Sequence, residues 1–208
     1  MQASHPWSSR DLSSKKFLFL GCPFKVWSDS EKVLNEFGKI YERFQSAEEY
    51  IDRPVEDLQP LSIYIITATS DHKPVLWAGG ETILLEEGEI PARMYFFILN
   101  YLFREVGSFF ILHGGVVEKD GKGIIISGPS NAGKTTLIVE LVKRGYAFLS
   151  DELAPIHRET GLIEPFPRRI GIRKNQGEFK ELLDIEEFND GRLGKTCPPG
   201  WIFFFPRC

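Results

Sequence analysis

Gly128-Pro129-Ser130-Asn131-Ala132-Gly133-Lys134-Thr135 sets two glycines, a lysine and a hydroxyl at the spacing G-x-x-x-x-G-K-[ST]. Glycines let successive backbone N–H groups close around phosphate oxygens, and a helix starting at the loop adds partial positive charge. In such a loop Lys134 reaches the β- and γ-phosphates of a nucleotide, and the Thr135 hydroxyl can ligate Mg²⁺. ATP and Mg²⁺ are the expected ligands. Gly128, Ser130, Asn131, Ala132, Gly133, Lys134, Thr135 and Thr136 are the expected nucleotide contacts. The flanks suit the motif: Ile124, Ile125 and Ile126 form an apolar strand before it, residues 136–144 read as a helix after it, and Gly145 sits where the helix should end.

The second candidate for chemistry is Asp151-Glu152. Residues 146–150 read as a strand, and strands on either side of a short crossover helix lie parallel. Asp151 should therefore emerge at the same sheet rim as the phosphate loop. A carboxylate there can bind Mg²⁺ through water or accept a proton from an attacking hydroxyl. Capping or solvated acids are the blander reading, which applies to Glu152 more than to Asp151.

His113 follows from register. Residues 109–118 and 123–127 read as strands joined at Asp120-Gly121, a two-residue hairpin signal. Pairing then runs 119 with 122 and 118 with 123, ending with His113 opposite Gly128. A histidine beside the phosphates and a satisfied core or cap histidine both remain open, because one bulge would turn the side chain to the other face. Arg168, Arg169 and Arg173 are candidates for holding the γ-phosphate or an acidic group of the substrate.

The 208 residues are 42% hydrophobic and 26% charged, enough to bury a core in one domain or two small ones. A formal net charge of −4 and a pI near 5.7 give no basic footprint for nucleic acid or an anionic membrane. The three cysteines, Cys22, Cys197 and Cys208, form no C-x-x-C pair, so neither a disulfide framework nor a zinc site is indicated, and a cytoplasmic setting fits. The N-terminus lacks the apolar run of a signal peptide, and the stretch Met94 to Leu99 is too short to span a bilayer.

Earlier in the chain, residues 1 to about 14 read as frayed. Two brief strands, Phe17 to Leu20 and Phe24 to Trp27, flank a turn at Gly21-Cys22-Pro23. A helix starts near Ser28–Glu31 and closes at Gly38, and residues 40–44 fit either a strand or more helix. Leu61 to Thr69 is a strand, and Pro74 to Ala78 pairs with Glu81 to Leu85 through Gly79-Gly80. This makes a small antiparallel α+β unit over 1–90. From 91 the catalytic part begins with a buried helix, Ala92 to Glu105, whose aromatics Tyr95, Phe96, Phe97, Tyr101 and Phe103 read as core. Farther on, Glu178 to Glu187 reads as a solvated acidic helix and Trp201 to Pro206 as a buried strand.

His113-Gly114, the hairpin, the phosphate loop and the acidic pair one short helix later together resemble the catalytic core of the HPr kinase/phosphorylase family, which shares the phosphoenolpyruvate carboxykinase type of P-loop. The resemblance runs over roughly residues 109 to 175. It implies a mixed-sheet α/β kinase core of the HPr kinase C-terminal domain type over 91–208, preceded by the small α+β unit. It further implies that Lys134 and Thr135 hold ATP and Mg²⁺, that Asp151 is the base towards a seryl hydroxyl, and that His113 lies near the phosphates. Pro165 to Arg173 also resembles divergent members that act as tailoring kinases in lasso-peptide cassettes. Glu152 departs from the family's second aspartate, and Thr136 replaces an acid after the P-loop hydroxyl. Neither the phosphorylase half of the activity nor HPr as substrate is carried over. Family members generally continue past the point equivalent to residue 208, so a C-terminally incomplete catalytic domain is one expectation.

The expected activity is thus ATP-dependent transfer to a serine or other hydroxyl of a peptide or small protein, with no nucleic-acid or membrane partner and with homo-oligomerisation compatible. Two rivals share the motif: an ATPase in which Glu152 activates water, and a nucleotide-sensing scaffold without chemistry. The spacing speaks against transport and motor ATPases, because only residues 135–150 separate Lys134 from Asp151.

Overall fold

The structure is a computed structural model that describes residues 10–44, 61–67, 69, 73–78, 80–86, 94, 97–100, 107–172, 181–188 and 192–206. The chain divides into two compact units, Met1–Glu105 and Val106–Cys208. This division falls on the far side of the expected 92–105 helix from the boundary drawn at 90/91. Of that helix, residues 97–100 are helical and Met94 and Ile98 are buried; the remainder lies outside the described residues.

In the first unit, β1 (Ser13–Phe19) and β2 (Cys22–Ser28) form a hairpin that begins inside the stretch expected to fray. Its turn is Leu20-Gly21, both at positive φ (49° and 82°), as a two-residue loop between right-twisted strands requires. Cys22 and Pro23, expected in the turn, instead belong to β2. Helix α1 (Glu31–Ile40) is capped by Ser30, whose hydroxyl accepts from the Val33 N–H, and it runs through the buried Gly38 rather than ending there. A 3-10 turn, Glu42–Phe44, settles the 40–44 segment as helical. The strands β3 (Leu61–Ile66), β4 (Val75–Ala78) and β5 (Glu81–Leu84) complete a sheet in the order β1-β2-β3-β4-β5. β2 and β3 pair in parallel, so the sheet is mixed rather than antiparallel: the connection between them carries α1, and a helical crossover returns the chain in the same direction. Phe17, Phe19, Phe24, Phe37 and Tyr41 pack edge-on or tilted between sheet and helix as this unit's core.

The second unit is organised by one long strand, β6 (Phe109–Lys119). It pairs antiparallel with β7 (Lys122–Ser127) through Asp120-Gly121, at φ 50° and 74°, in the expected register from Lys119↔Lys122 to Gly114↔Ser127. Helix α2 (Lys134–Lys143) follows the loop. It ends in a Schellman arrangement, with the Gly145 N–H donating to Val142 O and the Tyr146 N–H to Leu141 O, and Gly145 takes φ 87°. The returning strand β8 (Ala147–Ser150) pairs with Val116–Glu118 of β6, and β9 (Leu153–His157) pairs with Phe109–His113. β8 and β9 are two halves of one interrupted strand. β6 lies between β7 and β8 and is antiparallel to both, so β7 and β8 run the same way and end at the same rim.

Beyond β9, β10 (Ile170–Ile172) pairs with β11 (Glu181–Leu183), and a 3-10 turn spans Ile185–Glu187. The acidic helix expected over 178–187 is therefore not formed among its described residues. Leu183 is tied into a ladder with Ile170, Asp184 and Glu187 make a reciprocal capping box, and Ile185 and Phe188 sink into the core beside α2. The last strand, β12 (Pro199–Phe204), runs parallel to β7, giving the order β12-β7-β6-β8. Expected to be buried, it is exposed along its whole length, because among the described residues it is the edge of the sheet. No helix among the described residues is long and apolar enough to cross a membrane.

Candidate active site

The phosphate loop leaves β7 at Ser127, whose hydroxyl donates to the His113 carbonyl (2.9 Å) and ties the loop's root to β6. Gly128 takes φ 152°, and a Cβ there would lie 2.7 Å from that of Phe205, whose N–H donates to Ser127 O. The first glycine is thus required by a backbone approach as well as by phosphate access. Asn131 at φ 66° and Gly133 at φ 90° turn the chain into α2. Gly133 is the N-cap and offers no side-chain cap, which leaves the helix's first N–H groups facing the loop as an anion site. Lys134 is buried, and its Nζ donates to Gly128 O (2.9 Å) and Pro129 O (2.8 Å). The lysine bridges the loop's own carbonyls, poised where a phosphate oxygen could replace them. Thr135 is half-buried in the first turn of α2, while Ser130, Asn131 and Thr136 are exposed.

Asp151 and Glu152 form the bend between β8 and β9. Ser150, fully buried, builds that bend: its hydroxyl accepts from the Leu153 N–H (3.1 Å) and the Glu152 N–H (3.3 Å). The Gly114 N–H donates to Glu152 O (2.9 Å), locking the bend onto β6. Gly114 and Gly115 have no room for side chains here; a Cβ on Gly114 would stand 2.7 Å from Ile126 O, and one on Gly115 2.6 Å from Ile138 Cγ1.

Arg168 joins the two acids. Its Nη2 lies 3.3 Å from Asp151 Oδ2 and 3.0 Å from Glu152 Oε1; Asp151 is fully buried and Arg168 nearly so. A buried carboxylate stays ionised only with such a partner. On the other side of Glu152, His113 Nδ1 approaches Oε2 at 3.8 Å, with the imidazole half exposed. The structure thus brings His113, Asp151, Glu152 and Arg168 into one cluster at the rim where the phosphate loop begins. Arg169 approaches Asp184 at 3.6 Å. Arg173 lies outside the described residues. Ser150 and Phe205 are not among the residues the sequence singles out, although a serine directly before an acidic pair is a turn-forming signal.

Mg²⁺ takes oxygen ligands and usually keeps waters and substrate phosphates around it. Thr135 offers such an oxygen. Among the described residues no group of three or more His, Cys, Asp or Glu side chains is arranged to hold a metal ion.

No protein-family model matches the chain. Over 100 residues, 48% of its length, it is 30% identical to the HPr kinase/phosphorylase of Caldanaerobacter subterraneus subsp. tengcongensis, of which the match covers 29%. Similarity to the HPr kinase/phosphorylases of Listeria welshimeri (36% over 70 residues, 34% of this chain and 22% of the relative) and Clostridium tetani (35% over 78 residues, 38% and 26%) is of the same kind. Part of this chain is a distant homologue of the HPr kinase/phosphorylases. It matches less than a third of the length of these relatives. Among solved structures, the Hpr(Ser) kinase/phosphatase from Coxiella burnetii aligns with 46% of this chain and 64% of its own, at TM-score 0.36 and 19% identity.

Proposed function

We propose that the chain is an ATP-dependent kinase that moves the γ-phosphate to a serine hydroxyl of a peptide or small protein. The observation that carries this reading is the Asp151-Glu152 bend: a fully buried carboxylate paired with Arg168, at the rim where the phosphate loop leaves β7. Distant homology to HPr kinase/phosphorylases supports the reaction class, and the relatives' name supports a protein acceptor.

Lys134 would exchange its two carbonyl partners for phosphate oxygens, and the backbone N–H groups from 130 to the start of α2 would cradle the remainder. Thr135 would hold Mg²⁺, which when bound offsets charge on the phosphates. Asp151 would accept the proton of the acceptor hydroxyl. Arg168 positions Asp151 and Glu152, while His113, through Glu152, positions the bend. Arg168 holds both acids, at 3.3 Å and 3.0 Å, so the ATPase reading is separated from transfer by where the phosphate goes.

The test is incubation with Mg²⁺ and γ-labelled ATP, with and without small peptides encoded beside the gene, following the label. Label on a peptide serine is the expected result. Lys134→Ala should abolish transfer, whereas Asp151→Asn should keep ATP binding and lose transfer. Normal phosphorylation by Asp151→Asn would refute the base assignment. Label released only as free phosphate would replace the kinase with an ATPase, and intact ATP despite binding would replace it with a sensor.

A further inference from the structure

β12 reaches the phosphate loop as β7 does. The two strands run parallel in the register Phe203↔Ile126 and Phe204↔Ser127, so β12 ends at the rim where the loop begins. The pairing goes one step farther: the Phe205 N–H donates to Ser127 O at 2.9 Å. A Cβ built on Gly128 would meet the Phe205 Cβ at 2.7 Å and the Phe205 carbonyl oxygen at 3.2 Å. Phe205 thus fills the space into which a side chain on the loop's first residue would project. It also packs against the core cluster that includes Ile126 of β7 with Ile138 and Val142 of α2. That contact puts it on the face of the sheet that α2 covers, the face onto which the phosphate loop turns.

The order β12-β7-β6-β8 sets Phe205 on one flank of the loop and the acidic bend on the other. His113 belongs to β6, and Asp151 and Glu152 follow β8. The next step rests on the kinase reading, in which Asp151 takes the proton of the acceptor hydroxyl. The γ-phosphate is then the end of the nucleotide nearest β6 and β8. A nucleoside triphosphate is a linear chain of three phosphates, ribose and base, and the loop with its lysine holds the phosphates. With the γ end turned towards the acids, ribose and base leave the loop on the opposite flank, at the end of β12. We propose that Phe205 is the base-side wall of the nucleotide site, its ring stacking on the purine while the phosphate loop holds the triphosphate.

The chemistry suits this division. The loop offers backbone N–H groups and an ammonium, which are donors for phosphate oxygens, whereas a base needs a flat apolar face. Stacking on an aromatic ring supplies one and accepts any purine, because every base has a π-face. One residue then serves both ends of the nucleotide. Its backbone, bonded to Ser127, fixes the root of the loop, and its side chain receives the base.

Titration calorimetry of the full chain with two probes, ATP and inorganic tripolyphosphate, separates stacking on the base from support of the loop. The wild-type chain should bind both. Phe205→Leu keeps apolar bulk and the backbone N–H but has no ring face. It should lose about tenfold or more in affinity for ATP and less than about twofold for tripolyphosphate, with circular dichroism confirming the fold. Phe205→Tyr keeps the ring and should bind ATP as the wild-type chain does. A second arm needs no variant: 8-azido-ATP, irradiated with the wild-type chain and mapped by mass spectrometry, should label the tryptic peptide 196–207, and excess ATP should suppress the label. Equal losses of ATP and tripolyphosphate in Phe205→Leu overturn the proposal and leave Phe205 a support of the loop alone. An unchanged ATP affinity in that variant also overturns it, as does label on the tryptic peptide 105–119 that carries His113. Binding of neither probe by the wild-type chain takes down the phosphate site and this proposal with it. The acceptor chemistry is read separately, from where the γ-phosphate goes.

Discussion

Removing Arg168 should cost more than removing the buried carboxylate it holds. At an effective dielectric near 20, the 3.3 Å contact to Asp151 and the 3.0 Å contact to Glu152 are each worth about 5 kcal/mol in gross attraction, most of it offset by desolvation of the three groups. In Arg168→Met that attraction is gone while the desolvation remains, and two adjacent carboxylates lose the guanidinium that joins them. Breaking a buried pair in this way destabilises by about 3–5 kcal/mol. In Asp151→Asn the arginine keeps Glu152 and a neutral amide fills the same space, so the loss should be about 1–2 kcal/mol. Urea unfolding followed by circular dichroism reads both: with a slope near 1.5 kcal/mol per molar, the midpoint should fall by roughly 2–3 M for Arg168→Met and by about 1 M for Asp151→Asn. The double variant should lie well short of the sum, because the two residues share one interaction. If Arg168→Met costs no more than Asp151→Asn, Arg168 is not what compensates the buried acid, and its assigned positioning role fails.

Gly114→Ala should destabilise by about 1–3 kcal/mol, because the added Cβ would meet the Ile126 carbonyl at 2.7 Å and part the β6/β7 ladder. The same change should weaken ATP binding, measured by titration calorimetry, since that ladder ends at the phosphate loop. Ser150→Ala should leave two bend amides without their acceptor, lower the unfolding midpoint, and reduce transfer more than ATP binding. Burial, with Glu118 and then Glu164 adding negative charge, pushes the Cys197 thiol up to about 11. Alkylation of folded protein at pH 8.5, mapped by mass spectrometry, should therefore leave Cys197 unmodified. The sign for stability follows: the folded state retains a proton that the unfolded chain releases near pH 9, so this contribution is intact below pH 9 and is lost as pH rises towards 11. Rapid labelling at pH 8.5, or stability that climbs between pH 9 and 11, would refute this account.

What could be read from the sequence was local. The Asp120-Gly121 turn fixes the β6/β7 register because a two-residue loop at positive φ leaves no freedom in pairing, and the phosphate loop announces itself through its glycines and lysine. The rim shared by the loop and Asp151 followed from one short helix between two strands, which holds even though β6 lies between them. The features that escaped the sequence depend on partners distant along the chain. Arg168 and Arg169 are adjacent and chemically identical, yet one is buried against two acids and the other approaches Asp184, a difference set by the path of the chain into β10. The acidic stretch near 181–187 had helical spacing, but Leu183 gained more from pairing with Ile170, and Asp184 closed a capping box on Glu187. The apolar run of β12 looked like core because hydrophobicity reports affinity for burial without naming the partner that provides it. An exposed strand of that composition is the same signal read at an edge, where the sheet that it joins on one side is settled and the faces are not.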